Sequence, residues 1–273
     1  MGTFLNFKAM FYMIKKDLTI KMRYKIDSLS ILLRPIAGIL PLLLFSSYIH
    51  VKENTFFHYT GTDKYISYIA ITYFFITYIT HLMVSSSILI TSELQQGTFE
   101  TLMLSPVNAI YLLIGDMISA MVVQIIDFFL FYFLISIIFG EGIGFYDLSS
   151  MFFIIIIASL VAFGLGILLA GITIKTKLTK ITFMINSILI FLAGVSYPIT
   201  VFPTWLKYVA LVNPITYCVD LMRYSILGTI TYMKVPLEMS IIFVYSVCLF
   251  VVAVFIYMKI IRGLKVKGTL TNY

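Results

Sequence analysis

Charge is scarce in this chain, and cysteine and tryptophan are scarcer. Of 273 residues 11% are Asp, Glu, Lys or Arg, two are Cys and one is Trp. Each shortage excludes something. Cys218 and Cys248 found neither a disulfide framework nor a thiolate metal site, and His50, His58 and His81 form no ligand cluster. The pattern G-x-x-x-x-G-K-[ST], whose backbone cradles nucleotide phosphates, is absent. So is any repeat, low-complexity tract or linker that would divide the chain, and one domain over 1–273 is expected. No soluble segment is large enough to carry nucleic-acid binding, so the formal charge of +7 is assigned to the basic ends of membrane spans.

What fills the chain is apolar. It is 61% hydrophobic with 24 Phe and 19 Tyr, and its mean hydropathy is +1.04, against roughly 45–50% apolar residues in a soluble domain. About 20 residues are needed to cross a hydrocarbon core of about 30 Å, and only helices or closed barrels satisfy their backbones there. Long unbroken runs select helices. An all-α integral membrane protein of six spans is expected, at roughly 28–49, 65–90, 109–139, 150–174, 181–198 and 237–258. With an even count both termini share one side. That side collects thirteen basic residues against five on the other, so both termini are expected in the cytoplasm of a multi-pass plasma-membrane protein.

Phe4, Phe7, Phe11, Ile14 and Leu18 recur at steps of three and four, with Lys8, Lys15, Lys16 and Lys21 elsewhere. Residues 1–27 therefore read as an amphipathic helix lying in the inner interface, or as an ordinary basic leader before span one. Met1 to Lys25 lacks the compact apolar core of a cleavable signal and is expected to stay in the protein.

The loop between spans two and three, 91–108, faces the cytoplasm yet holds no basic residue: SELQQGTFETLMLSP. Gly97 suits a helix stop, Thr98 a new cap, Glu100 a first turn and Pro106 a boundary. The result is a helix of about two turns over 98–105, with Phe99, Leu102 and Met103 on one face. So short a helix is unstable alone. It is docked either on a partner, with Glu93 and Glu100 near basic groups, or on the chain's own span ends.

The segment ELQQGTFETLMLSPVNAIYLLIGD resembles the cytoplasmic segment of ABC type-2 exporter permeases, in which a glutamate, Gly-Thr, a second glutamate and Ser-Pro precede the third span. LAGVSYPITVFPTWLKYVALVNPITYCVDLMR is similar to that family's small-residue span end, Pro-x-Trp and Asn-Pro before the last span. The resemblance implies a coupling helix seated in a separate ATP-binding subunit, with Glu93, Gly97, Thr98, Glu100, Leu102, Ser105 and Pro106 as contacts or shape-givers. It further implies two ATPase copies carrying ATP and Mg, with no cofactor and no catalytic residue on this chain. A second membrane subunit, identical or similar, and outward transport are implied as well.

In the outer segment, 199–236, Pro203 suits one helix start and Asn213-Pro214 another. Trp205, Tyr197, Tyr208 and Tyr217 suit a headgroup interface. The resemblance implies re-entrant half-helices there, with Pro198, Pro203, Trp205, Asn213 and Pro214 at an outer gate; an interfacial loop without a gating role is the alternative. Asp220 and Arg223, three apart, are expected to pair across one helical face.

Among intramembrane charges, depth counting sets Arg34 opposite Asp116 and leaves Asp127 without an obvious cation, with Gln124 on its face. These four are candidates for a translocation path, helix contact being the alternative for Asp127. His81 reads as a packing residue. The cargo is expected to be amphipathic or lipid-like: a drug, peptide, natural product or lipid-linked glycan. The rival readings are an ion-coupled secondary transporter using Asp127, and an intramembrane serine protease at Ser196. The latter lacks a histidine in the required last span.

Overall fold

The computed structural model describes residues 2–23, 53–104, 107–138, 148–195 and 198–267, with scattered helical positions between 29 and 41. Among them every long element is a helix. In chain order these are α1 (Gly2–Arg23), α2 (Glu53–Thr60), α3 (Tyr65–Gln95), α4 (Phe99–Leu104), α5 (Ala109–Ile138), α6 (Leu148–Thr176) and α7 (Thr179–Leu192). A 3-10 turn follows at Ile199–Val201, then α8 (Thr204–Val212), α9 (Pro214–Leu227) and α10 (Val235–Lys267). Among the described residues α3, α5, α6 and α10 are long and apolar enough to cross a membrane. They correspond to the expected spans two, three, four and six. The expected first span lies almost wholly outside the described residues.

α6 is the centre of the packing, with α3, α10 and α9 against it. Surrounded by lipid, apolar side chains gain little from pairing with each other, so close backbone approach and interhelical hydrogen bonds must hold the helices. Gly166 supplies the approach: a Cβ there would stand 3.0 Å from the Met83 carbonyl oxygen and 2.6 Å from Met117 Cε. Tyr78 Oη and Ser159 Oγ share a hydrogen bond of 2.5 Å between α3 and α6. Thr173 and Thr182 share one of 3.0 Å, and Thr182 Oγ1 donates to Ser87 Oγ at 3.4 Å. α10 turns Phe243, Val251 and Phe255 outward, as a helix at a lipid boundary does.

α1 forms where its periodicity places it, and it packs along α5. The Asn108 N–H donates to Asn6 Oδ1 at 3.0 Å, the Phe7 and Tyr111 rings meet edge to face at 5.5 Å, and Ser119 Oγ donates to Asp17 Oδ2 at 3.2 Å. From Asn6 to Asp17 and from Asn108 to Ser119 both chains advance equally. α1 therefore runs alongside the first three turns of α5 in the same direction. Its aromatic stripe is divided, since Phe7 and Phe11 are exposed while Ile14 and Leu18 are half-buried.

The expected fifth span is shortened. Helix α7 ends at Leu192, and at about 1.5 Å per residue its 14 residues reach only about 21 Å, short of a core of about 30 Å. Ala193 and Gly194 turn the chain away, Gly194 at φ +67°.

Candidate functional site

The loop between α3 and α5 is built by its ends. The Thr98 N–H donates to Glu93 O at 3.0 Å and the Gly97 N–H to Leu94 O at 3.2 Å. That pair of bonds is a Schellman motif, which needs a left-handed residue; Gly97 provides it at φ +70°. The Thr98 carbonyl then accepts the Leu102 N–H at 3.0 Å, and α4 begins. The Thr98 hydroxyl donates to Glu93 Oε2 at 2.5 Å, so this glutamate ties the loop to itself. Ser105 and Pro106 lie outside the described residues.

Phe99 faces the opposite way from a partner-contacting residue. It is 3% exposed and sits among Ile90, Ala109, Ile110 and Leu113 at the junction of α3 and α5. Leu102 packs partly against the same cluster. The reason is geometric: once Gly97 reverses the chain, the first residue of α4 points back over the last turn of α3. The side chain presented outward is Leu104, 81% exposed, beside exposed Gln95, Gln96 and Thr101. Glu100 and Met103 belong to α4.

Between α3, α5 and the start of α7 lies a cavity of about 550 Å³, reached also by Arg34. Its polar lining is Arg34, His81, Asp116, Gln124, Thr80, Ser85 and Ser92; its apolar lining includes Ile88, Leu89, Val123 and Phe183. Ser85 Oγ donates to Leu82 O and Ser92 Oγ to Leu89 O, which leaves hydroxyl lone pairs as what these serines offer the space. Arg34 Nη1 stands 3.3 Å from Asp127 Oδ2. Asp127 thus has a cation, and depth counting misassigned it. That counting started spans one and three at one level, whereas the first three turns of α5 run beside α1 and Arg34 meets α5 further along, at Asp127. Gln124 is buried, as is Asp127.

The cap formed by α8 and α9 explains how α7 ends so early. Terminal carbonyls of a helix need donors, and lipid has none. Asn213 Nδ2 donates to Leu189 O at 2.8 Å, Thr216 Oγ1 to Leu192 O at 3.5 Å, and Arg223 Nη2 to Gly194 O and Val195 O at 2.8 Å each. Arg223 also donates through Nε to Thr72 Oγ1 at 2.6 Å, with its guanidinium 3.8 Å from the Tyr68 ring centroid. The expected pairing with Asp220 is replaced: Asp220 Oδ2 accepts the Tyr232 N–H at 2.7 Å. Both residues serve backbone because both are drawn under the cap rather than exposed.

Helices α8 and α9 begin at the anticipated places. Pro203 precedes α8; the Asn213 side chain accepts the Ile215 N–H at 3.2 Å and Pro214 takes the first helical position. Trp205 and Tyr208 are each 68% exposed. Pro198 lines a small recess with Tyr68 and Asp220. Ser196 and Tyr197 are outside the described residues. Sequence reasoning missed Thr72, Tyr68 and Asn6; an arginine one turn past a buried aspartate was the only signal.

The ABC-2 type transporter family matches residues 10–227, and the chain belongs to that family. It is a multi-pass membrane protein, a membrane subunit of the ABC transporter type. A probable multidrug ABC transporter permease of Escherichia coli strain K12, YbhR, is 27% identical over 150 residues, covering 52% of this chain and 38% of that protein. The YbhR protein of Escherichia coli O157:H7 matches to the same extent. The alignment thus spans well under half the length of these relatives.

Proposed function

We propose that this chain is the membrane half of an ATP-driven exporter, moving an amphipathic or lipid-like cargo outward, with hydrolysis on two copies of a separate ATPase subunit and a second permease chain completing the path. The single observation that carries this reading is the cytoplasmic loop: a short helix locked by a Schellman turn and the buried Phe99 ring, with Leu104 left exposed. Such a helix is rigid enough to transmit a push. The termini and this loop face the cytoplasm. Helices α8 and α9, capped onto the early end of α7, act as re-entrant elements at an outer gate around Pro198, Pro203, Trp205, Asn213 and Pro214. The cavity beside Arg34, Asp116 and Gln124 belongs to the path. The multidrug designation of the relative agrees with an amphipathic cargo.

The secondary-transporter reading is disfavoured by the partner of Asp127. A carboxylate 3.3 Å from a guanidinium is engaged as a counter-ion. The test is co-expression with candidate ATPase subunits, followed by copurification and cargo-stimulated hydrolysis in reconstituted membranes. Export that proceeds on an ion gradient with no ATPase present would defeat the proposal.

A further inference from the structure

Helix α1 is seated on α5 by one face and leaves the opposite face uncovered. Asn6, Met10, Met13 and Asp17 follow one another at helical steps, so they share the face turned towards α5. Asn6 accepts the Asn108 N–H, Asp17 accepts from Ser119, and a Cβ on Gly115 would stand 3.1 Å from the Met10 carbonyl oxygen and 3.2 Å from Met13 Cβ. So close an approach fixes which way the helix is turned. Lys8, Phe11, Tyr12, Lys15 and Thr19, half a turn round, are exposed, with exposed Lys16 and Arg23 at the margin. Among the described residues none of these four cations is in an ion pair, and the Lys8 ammonium stands 5.8 Å from the Tyr12 ring centroid. The acid of α1, Asp17, is on the face against α5. The uncovered face is thus basic and aromatic at once.

The length of α5 sets the depth of α1. Its 30 residues make about 45 Å of helix, about 15 Å more than a hydrocarbon core of about 30 Å. Residues 128–138 hold no charge, whereas 109–119 include Asp116, so the surplus falls at the start of α5, beside α1. That places α1 at the level of lipid headgroups. We propose that the exposed face of α1 binds anionic phospholipid headgroups, with Lys8, Lys15, Lys16 and Arg23 meeting phosphates while Phe11 and Tyr12 enter the boundary between headgroup and acyl chain. Charge complementarity selects the partner: cations with no acid among them are drawn to an anionic surface, and the rings between them suit the bilayer interface. A zwitterionic surface offers the rings the same boundary but gives the cations no net attraction. An acidic protein would have to displace lipid at this depth to reach the same face.

The experiment places the full chain in nanodiscs of phosphatidylcholine, alone or mixed with phosphatidylglycerol, and reads hydrogen exchange. Each basic side chain near an anionic surface strengthens attachment about fivefold, so the α1 amides should exchange about tenfold more slowly with phosphatidylglycerol present. Raising salt from about 0.1 M to about 1 M shortens the Debye length from about 10 Å to about 3 Å and should remove most of the difference. Lys8→Gln, Lys15→Gln and Lys16→Gln together should exchange alike in the two lipids, with unchanged exchange at 110–119 of α5 as the sign that α1 is still seated. Arginine at the same three positions should keep the response, since its guanidinium also pairs with phosphate. Lys259→Gln with Arg262→Gln, at exposed positions of α10 at the same end of the bundle, should keep it too. If the glutamine variant unseats α1, the lipid and salt dependence of the unaltered chain still decides. Equal exchange of the unaltered chain in both lipids overturns the proposal. So does a lipid response that persists in the glutamine variant, or a slowing that appears only once an ATPase subunit is added, which would assign the face to a protein.

Discussion

Two arginines in this protein sit at membrane depth or under a cap, and each is explained by what it compensates. Arg34 is 45% exposed at its side chain and Asp127 9%, so their attraction is partly screened and worth about 1 kcal/mol rather than the several of a fully buried pair. A double-mutant cycle of Arg34→Gln and Asp127→Asn, read by thermal unfolding in detergent, should show a coupling of about that size. Strict additivity would remove the pair. Arg223 is a different case, being 3% exposed and serving two carbonyls, a hydroxyl and a ring face at once. Its planar fork matters, and a lysine ammonium cannot reproduce it. Arg223→Lys is expected to destabilise by about 2–3 kcal/mol, close to Arg223→Gln, since charge-assisted bonds contribute about 1.5–3 kcal/mol. Thermal midpoints for both variants check this, and a lysine variant as stable as the parent contradicts it.

At the scale of the element, α4 shows which parts of the site were legible. Its existence, its start after Gly97-Thr98 and its brevity followed from local chemistry, because a left-handed glycine and a short apolar helix have few alternatives. The starts of α8 and α9 were legible for the same reason, through Pro203 and Asn213-Pro214. The direction in which Phe99 points was not, because the face of a two-turn helix is set by the turn before it, a three-dimensional fact with no periodicity to report it. Likewise the early end of α7 depends on donors from Asn213, Thr216 and Arg223 that are distant in sequence. Leu104→Ala should leave stability unchanged and lower recovery of the ATPase subunit, since the side chain is 81% exposed. Phe99→Ala should cost about 3–5 kcal/mol locally and lower recovery by loosening the helix. The two are separated by hydrogen exchange of the 93–104 amides, accelerated in Phe99→Ala alone. Acceleration in both variants would mean that Leu104 also holds the loop.

For the whole molecule, α3 is the element that touches every part of the proposed machine. Its C-terminal end carries the Glu93–Thr98 bond of the loop, its body the Ser87–Thr182 contact with α7 and one wall of the cavity, and its N-terminal part Thr72 beneath Arg223. Its 31 residues extend about 45 Å, so a displacement of the loop that follows it reaches the cap formed by α8 and α9 if the rod stays linked at both ends. Thr72 is the outer link: its hydroxyl donates to Tyr68 O at 2.7 Å and accepts from Arg223 Nε at 2.6 Å. Thr72→Val keeps the shape and removes the acceptor, leaving a buried N–H unmatched at a cost of about 1–3 kcal/mol. The variant should therefore assemble with the ATPase and hydrolyse ATP while exporting cargo poorly, which is the reverse of the assembly defect expected for Leu104→Ala. Thr77→Val is the control, because the Thr77 hydroxyl bonds back to Tyr73 O within the same helix. Efflux, hydrolysis and copurification measured on the same preparations decide the matter. Unimpaired efflux in Thr72→Val, or an equal loss in Thr77→Val, would show that α3 does not transmit through its outer hydroxyl.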